Sequence, residues 1–368
     1  MLAFLLIGSG GWILWGEGPA QANQIADGKG ASEGSPTPTG TGSIIVQATS
    51  PTLASATPES TPTQPPATGV LTSSVTPRPS VTPTSSLTPT LPQTSTPVPL
   101  PSTTPDGQAA KTPTPYLSQY RLVTYYGSPL GPELGILGSL PRHVLAERLR
   151  ETAAQYQALS PHRRALPAFH IITTVADAIP GNSGRYSHQL SLEIIADWVA
   201  AARGADMALI LDIQPGYASI EEEFRRIQYF LYSPHVHLAL DPEFTMEGGQ
   251  IPGRTVGQIY AREINRIQAH LNEMALEMGT NKVLVVHQFE GHMVPDKAAI
   301  EEYPYVELVF DADGFGTPEA KRRDYAQYVS EPAFEYGGFK LFLEWDDPLM
   351  SPSQVMALDP APMVIVYQ

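Results

Sequence analysis

From about residue 116 onward, short runs rich in β-branched and aromatic residues alternate with longer stretches whose apolar positions recur at helical spacing. The strand candidates are Arg121–Tyr126, Ala168–Thr174, Met207–Gln214, Val236–Glu243, Lys282–Phe289, Val306–Asp313, Phe339–Trp345 and Met363–Tyr367. The first helical stretch, His143–Leu159, puts Val144, Leu145, Leu149 and Tyr156 on one stripe behind the start signal Ser139-Leu140-Pro141. Leu190–Ala202, Ile220–Leu231, Ile259–Met278 and Pro318–Val329 follow, with weaker helices at Lys297–Tyr303 and Ser353–Leu358. Strict strand–helix alternation predicts a parallel sheet with right-handed crossovers. Eight such repeats in about 250 residues predict an α/β fold of the (β/α)8 TIM-barrel type. The last helix is expected to be missing, because the sequence stops at Gln368. An open doubly wound sheet is the alternative.

Upstream the pattern is different. Met1–Trp15 is apolar and uncharged, shorter than the roughly 20 residues of a membrane span. It suits a signal-peptide core, with Ala20-Gln21-Ala22 as a cleavage site, or a signal anchor over residues 1–22. Residues 23–115 are dominated by Ser, Thr and Pro, and 18 of the chain's 37 prolines lie between Pro36 and Pro115. Such a segment buries too little apolar surface to offset its ordering entropy, so a disordered stalk is expected. In polyproline II form it spans up to about 250 Å. Residues 116–368 are left as the barrel domain. The expected location is extracellular or on the cell surface, secreted or held by the N-terminal segment, which is the only expected membrane contact.

Composition narrows the chemistry. With no cysteine, a disulfide scaffold, a thiolate zinc site, a cysteine nucleophile and a lipidated cysteine are all excluded. The net charge is −15; three Lys/Arg against five Asp/Glu up to residue 115 account for −2, leaving −13 on the rest. A surface of that sign, without a basic stripe, repels phosphate backbones, so nucleic acid is not an expected partner.

Barrel sites form at the C-terminal ends of the strands, and the polar residues cluster there. Residues two apart share a face of a strand. Asp212 pairs in this way with Gln214, Asp241 with Glu243, Asp311 with Asp313, and Glu344 with Asp346. Strand five adds His287 or Gln288, strand two His170 or Thr174, and strand one Tyr125 or Tyr126. Buried unpaired carboxylates are costly, so carboxylates at one end of four strands point to an acidic bowl with a function. Helix capping or pairing with arginine is the plainer account of any single one, Asp311, Asp346 and Asp347 above all.

Three chemistries fit. Glycoside hydrolysis needs a protonated carboxyl and an ionised one. Glu243 is then the acid and Glu344 the nucleophile or base, with Asp212 and Asp241 tuning them. Tyr126, His170, Gln214, His287, Gln288, Asp313 and Trp345 would hold the polysaccharide or cell-wall glycan. This placement resembles barrel glycosidases that carry the acid after strand four and the nucleophile after strand seven. Here, however, Leu240-Asp241-Pro242-Glu243-Phe244 lacks the Asn-Glu pair common among them. The second chemistry is a divalent-metal hydrolase using Asp212, Asp241, Glu243, His287 and Asp313, a set suited to Mg, Ca or Mn. The third is glycan binding without catalysis. No cofactor and no metal are assigned, and the sequence does not set the oligomeric state.

Other motifs are weaker. Gly127–Gly131 and Gly135–Gly138 lack the order and the basic residue of a phosphate cradle. His235-Val236-His237 opens strand four, at the end of the barrel away from the site. Ala176–Ser187 and Thr245–Thr255 are Gly-rich, carry Arg185 and Arg254, and are expected to form rims on the site side.

Taken together, Leu211–Gly216 (LDIQPG), Leu238–Phe244 (LALDPEF), Ile251–Gly257 (IPGRTVG), Val285–Phe289 (VVHQF) and Asp311–Thr317 (DADGFGT) resemble a group of secreted, anchored or wall-associated bacterial surface proteins without an assigned activity. The resemblance covers most of residues 120–368 and implies an extracytoplasmic barrel behind a disordered tether. It implies no substrate.

Overall fold

The computed structural model describes residues 112–368, together with two short strands, Phe4–Ile7 and Gly11–Leu14, that pair antiparallel. Most of the leader and stalk expected over residues 1–115 lies outside the described residues. Among the described residues, no helix is long and apolar enough to cross a membrane.

The eight expected strands form a closed parallel barrel: β1 (Tyr120–Gly127), β2 (Arg164–Ala176), β3 (Ala208–Ile213), β4 (Val236–Leu240), β5 (Lys282–Gln288), β6 (Val306–Ala312), β7 (Tyr336–Leu341) and β8 (Val364–Tyr367). Each pairs with the next, and β8 closes on β1 with Val364 opposite Leu122. The open doubly wound alternative is thereby excluded.

Helices α1 (Arg142–Leu159), α2 (Leu192–Gly204), α3 (Ile220–Leu231), α4 (Ala261–Met278), α5 (Pro318–Tyr328) and α6 (Pro352–Met356) supply the crossovers. Their starts follow local rules. Ser191, Ser219, Thr317 and Ser351 each accept a hydrogen bond from a backbone N–H in the first turn, and Pro318 and Pro352 occupy positions that need no N–H donor. The β5–β6 crossover holds only two 3-10 turns, Gly291–Met293 and Lys297–Ala299, where a weak helix over Lys297–Tyr303 was expected.

Period-2 alternation sorts the apolar residues into two cores. Side chains such as Val123, Phe169, Leu211, Leu240, Val286 and Phe310 pack outward against the helices. Their neighbours Leu122, Ala168, Ile210, Ala239, Val285 and Val309 fill the barrel interior. Below that interior the short helix Tyr116–Gln119 closes the N-terminal end. Glu307 accepts the N–H groups of Tyr116 at 2.7 Å and Leu117 at 3.0 Å, and Leu117 is fully buried. His237 belongs to this floor: its ring lies edge-on to Tyr116 at 4.2 Å, and its Nδ1 accepts the Val283 N–H. The His-x-His spelling is therefore packing, at the end of the barrel away from the acidic residues.

Three strand boundaries matter for the site, the first being β4, which ends at Leu240, so Asp241 and Glu243 lie in a 3-10 turn and not on a shared strand face as expected. β2 runs on to Ala176 and pairs antiparallel with a short strand, Ser187–Gln189, in a segment expected to be loop. β7 stops at Leu341, before Glu344. There Asp346 accepts the Phe342 N–H and the Gly316 N–H, both at 2.9 Å, and turns the chain away from the sheet.

Candidate functional site

Above the apolar interior, the inward face of seven strands turns polar. β1 gives Tyr126, β2 His170, β5 His287 and β7 Lys340, all buried. Asp212 ends the inward row of β3, with Gln214 just beyond it. Asp241 and Glu243 follow β4 in a 3-10 turn, where Asp241 accepts the Glu243 N–H. Asp311 and Asp313 follow the inward row of β6.

These groups form one connected network. Gln214 donates to the Tyr126 hydroxyl at 3.1 Å and to Asp241 at 3.2 Å. The Nδ1 of His287 lies 3.0 Å from Asp311 and 3.2 Å from Asp313. Lys340 Nζ pairs with Asp313 at 2.9 Å and sits 4.0 Å from the centre of the Tyr126 ring. His170 and His287 stack with ring centres 5.4 Å apart, and Tyr126 meets both edge-on.

Burial and neighbours split the proton affinities. Burial, reinforced by Asp241 and Asp313, pushes the Glu243 carboxyl well above the usual carboxylate range. Burial also pushes Asp241 up to about 7, with the charges of Asp212 and Asp313 adding to it. Asp313 goes the other way: burial works against its charge, but Lys340 and His287 overcome it. Asp212 falls to about 2, where His287 and His170 outweigh burial. Burial lowers His170 to about 3, so its imidazole is neutral. Glu243 has no cation within ion-pairing distance among the described residues, whereas Asp313 has two.

The structure brings together Glu243, Asp241, Asp212, Tyr126, His170, Gln214, His287 and Asp313 from the residues read as a site. It does not bring in Glu344, Gln288 or Trp345. Glu344 lies past the end of β7, is exposed, and lines a separate groove of about 410 Å³ with Pro132, Ile136, Leu343, Trp345 and Gln368. Trp345 is half-buried against Phe315 and Phe342. Gln288 faces outward from β5 and donates to Glu331 and to the Glu290 carbonyl. Asp346 ion-pairs with Lys321 at 3.0 Å, both buried, which makes it structural. Of the either-or pairs, closure of the sheet selects Tyr126, His170 and His287. Thr174 instead donates to the buried Glu223 at 2.6 Å, outside the barrel interior.

Lys340 is the site residue that the sequence reading missed. Its signal is present, because Gly338 and Lys340 alternate with the outward Phe339 and Leu341. Two triads present closely spaced ligand atoms, His170–Asp212–His287 and His287–Asp311–Asp313. The rim carries half-buried aromatics: Tyr186 and Tyr217 stack edge-on at 5.1 Å, with Phe244, Phe289 and Phe315 on the following strand ends.

Comparison with known proteins finds no family model that matches the chain and no curated protein significantly similar to it.

Proposed function

We propose that the protein hydrolyses glycosidic bonds in an extracellular polysaccharide or cell-wall glycan, with Glu243 as proton donor and Asp313 as the ionised carboxylate partner. The observation that carries the reading is the unequal pairing of these two carboxyl groups. Asp313 lies 2.9 Å from Lys340 and 3.2 Å from His287, while Glu243 has neither cation at pairing distance. Environments that drive two carboxyls apart in this way separate an acid from a base or nucleophile. Asp241 positions Glu243 through its backbone N–H and is in turn held by Gln214. Half-buried aromatic rings on the strand ends offer flat faces for sugar rings. The Glu344 role expected by analogy is given up in this reading, since Lys340 holds the inward place on β7.

The extracellular setting rests on the apolar first 15 residues and the Ser/Thr/Pro-rich stretch behind them. The test is release of new reducing ends from a panel of bacterial wall and extracellular polysaccharides. Wild-type protein is expected to release product, and Glu243→Gln and Asp313→Asn to lose at least about 10²-fold in rate. Glycan retained by the wild type without product would make it a binding protein and overturn the reading.

A further inference from the structure

We propose that the floor of the polar mouth is a binding site for one divalent first-row transition ion, Zn²⁺ foremost, held by His170, Asp212 and His287. The three side chains come from β2, β3 and β5, and none is more than 1% exposed. Asp212 Oδ2 lies 3.5 Å from His287 Nε2 and 3.9 Å from His170 Nε2, and one ligand atom from each residue falls within a 4.8 Å span. Zinc bonds of about 2.0–2.2 Å at tetrahedral angles separate ligand atoms by roughly 3.4 Å, close to the two distances from Asp212, and the two imidazoles need only draw together within the 4.8 Å span.

The second observation is unmet hydrogen bonding. Both oxygens of Asp212, both ring nitrogens of His170 and Nε2 of His287 are buried without a hydrogen-bond partner. Buried polar groups are seldom left so, and here five atoms of three adjoining side chains are. The His287 ring is also oriented from behind. Its Nδ1 faces Asp311 and Asp313 at 3.0 and 3.2 Å, which leaves Nε2 directed at Asp212. A carboxylate behind a histidine whose other nitrogen faces a ligand cluster is the usual outer shell of a metal-bound imidazole. A direct Nε2–H···Oδ bond is a poor alternative, because 3.5 Å is well beyond the charge-assisted distance of about 2.7–2.9 Å. Two imidazoles and one carboxylate suit Zn, Fe, Ni or Cu better than the all-oxygen sets of Mg and Ca. With an ion bound, His287 is a neutral imidazole that keeps its Nδ1–H toward Asp311 and Asp313, and Lys340 remains the cation on Asp313.

The experiment is metal analysis of full-length protein purified without chelator, followed by removal of metal and titration with Zn²⁺ and Co²⁺. The result expected is close to one equivalent per chain, a rise of several degrees in Tm when Zn²⁺ is returned, and a tetrahedral Co²⁺ absorption band. His170→Ala and Asp212→Asn should retain less than a tenth of the metal, and Glu243→Gln should retain all of it. The proposal is overturned if wild-type protein takes up neither ion and its Tm does not move, or if His170→Ala keeps the full equivalent. Should both ligand variants fail to fold, the wild-type titration and the Co²⁺ spectrum decide alone.

Discussion

Lys340 Nζ and Asp313 Oδ2 meet 2.9 Å apart inside the barrel, carried on β7 and just past the end of β6, where each is nearly sealed from water. Lys340 supplies positive charge in a mouth crowded with carboxyls. Burial disfavours the charged amine, yet Asp313 and Asp311 raise its proton affinity above the ordinary lysine value. Removing Lys340 leaves the buried Asp313 with His287 as its one remaining partner at pairing distance, and breaking a buried pair costs about 3–5 kcal/mol. Lys340→Met is therefore expected to lower Tm by on the order of 10 °C. The double variant Lys340→Met/Asp313→Asn should recover part of that loss. Thermal unfolding of the three proteins checks it, and equal Tm values for parent and Lys340→Met would refute the role.

Asp241 gives stability a pH dependence of definite sign. Its folded-state carboxyl titrates near 7, against about 3.9 when unfolded. Between those values the folded chain binds more protons than the unfolded one, so this group makes stability fall as pH rises through the window. Asp241→Asn keeps the shape of the protonated acid and removes the titration. The variant should gain stability relative to the parent at pH 8, but not at pH 4. Denaturant unfolding at both pH values measures it; an unchanged difference between the proteins would count against the assignment.

The turn that carries Glu243 is clamped by Gly257, whose N–H donates to the Glu243 carbonyl at 2.7 Å. A Cβ at residue 257 would lie 2.3 Å from the Thr245 carbonyl oxygen and 2.6 Å from that of Pro242. Backbone oxygens cannot swing aside, so Gly257→Ala must shift the turn. A displacement of that kind at the acid is expected to reduce kcat by on the order of tenfold to a hundredfold. Activity at saturating glycan, read beside a circular dichroism melt, separates this from simple unfolding.

Glu344 and Trp345 make the complementary case. They line a groove past the end of β7, together with Pro132, Ile136 and Gln368. Glu344→Gln should leave kcat within about threefold of the parent, well short of the loss of a general acid or base. Trp345→Ala should raise KM for long glycans with little change in kcat. A kcat loss of several hundredfold for Glu344→Gln would restore it as a catalytic group.

Why Glu344 looked catalytic explains what the sequence could reveal. Alternation located all eight strands, because one face of each is apolar toward the helices and the middle of the barrel interior is filled by apolar side chains. The same period placed Asp212, Asp241 and Asp313 at one mouth. It failed at Phe342-Leu343, whose apolar side chains extend the strand signal past Leu341 into a turn fixed by Asp346. Only the folded chain brings that carboxylate back to the Phe342 N–H. Period 2 likewise left His287 and Gln288 as equals, since the choice depends on which face closes inward. Lys340 escaped notice for a related reason: one lysine among Gly, Phe and Leu has no local partner, and Asp313 lies 27 residues away.

The acid role of Glu243 is tested most directly by leaving-group dependence. Hydrolysis by Glu243→Gln would be compared on a natural glycan and on the matching dinitrophenyl glycoside, whose leaving group needs no protonation. The expected loss is about 10²–10⁴-fold on the glycan and less than about tenfold on the activated substrate. Equal losses on both, or none on either, would contradict it.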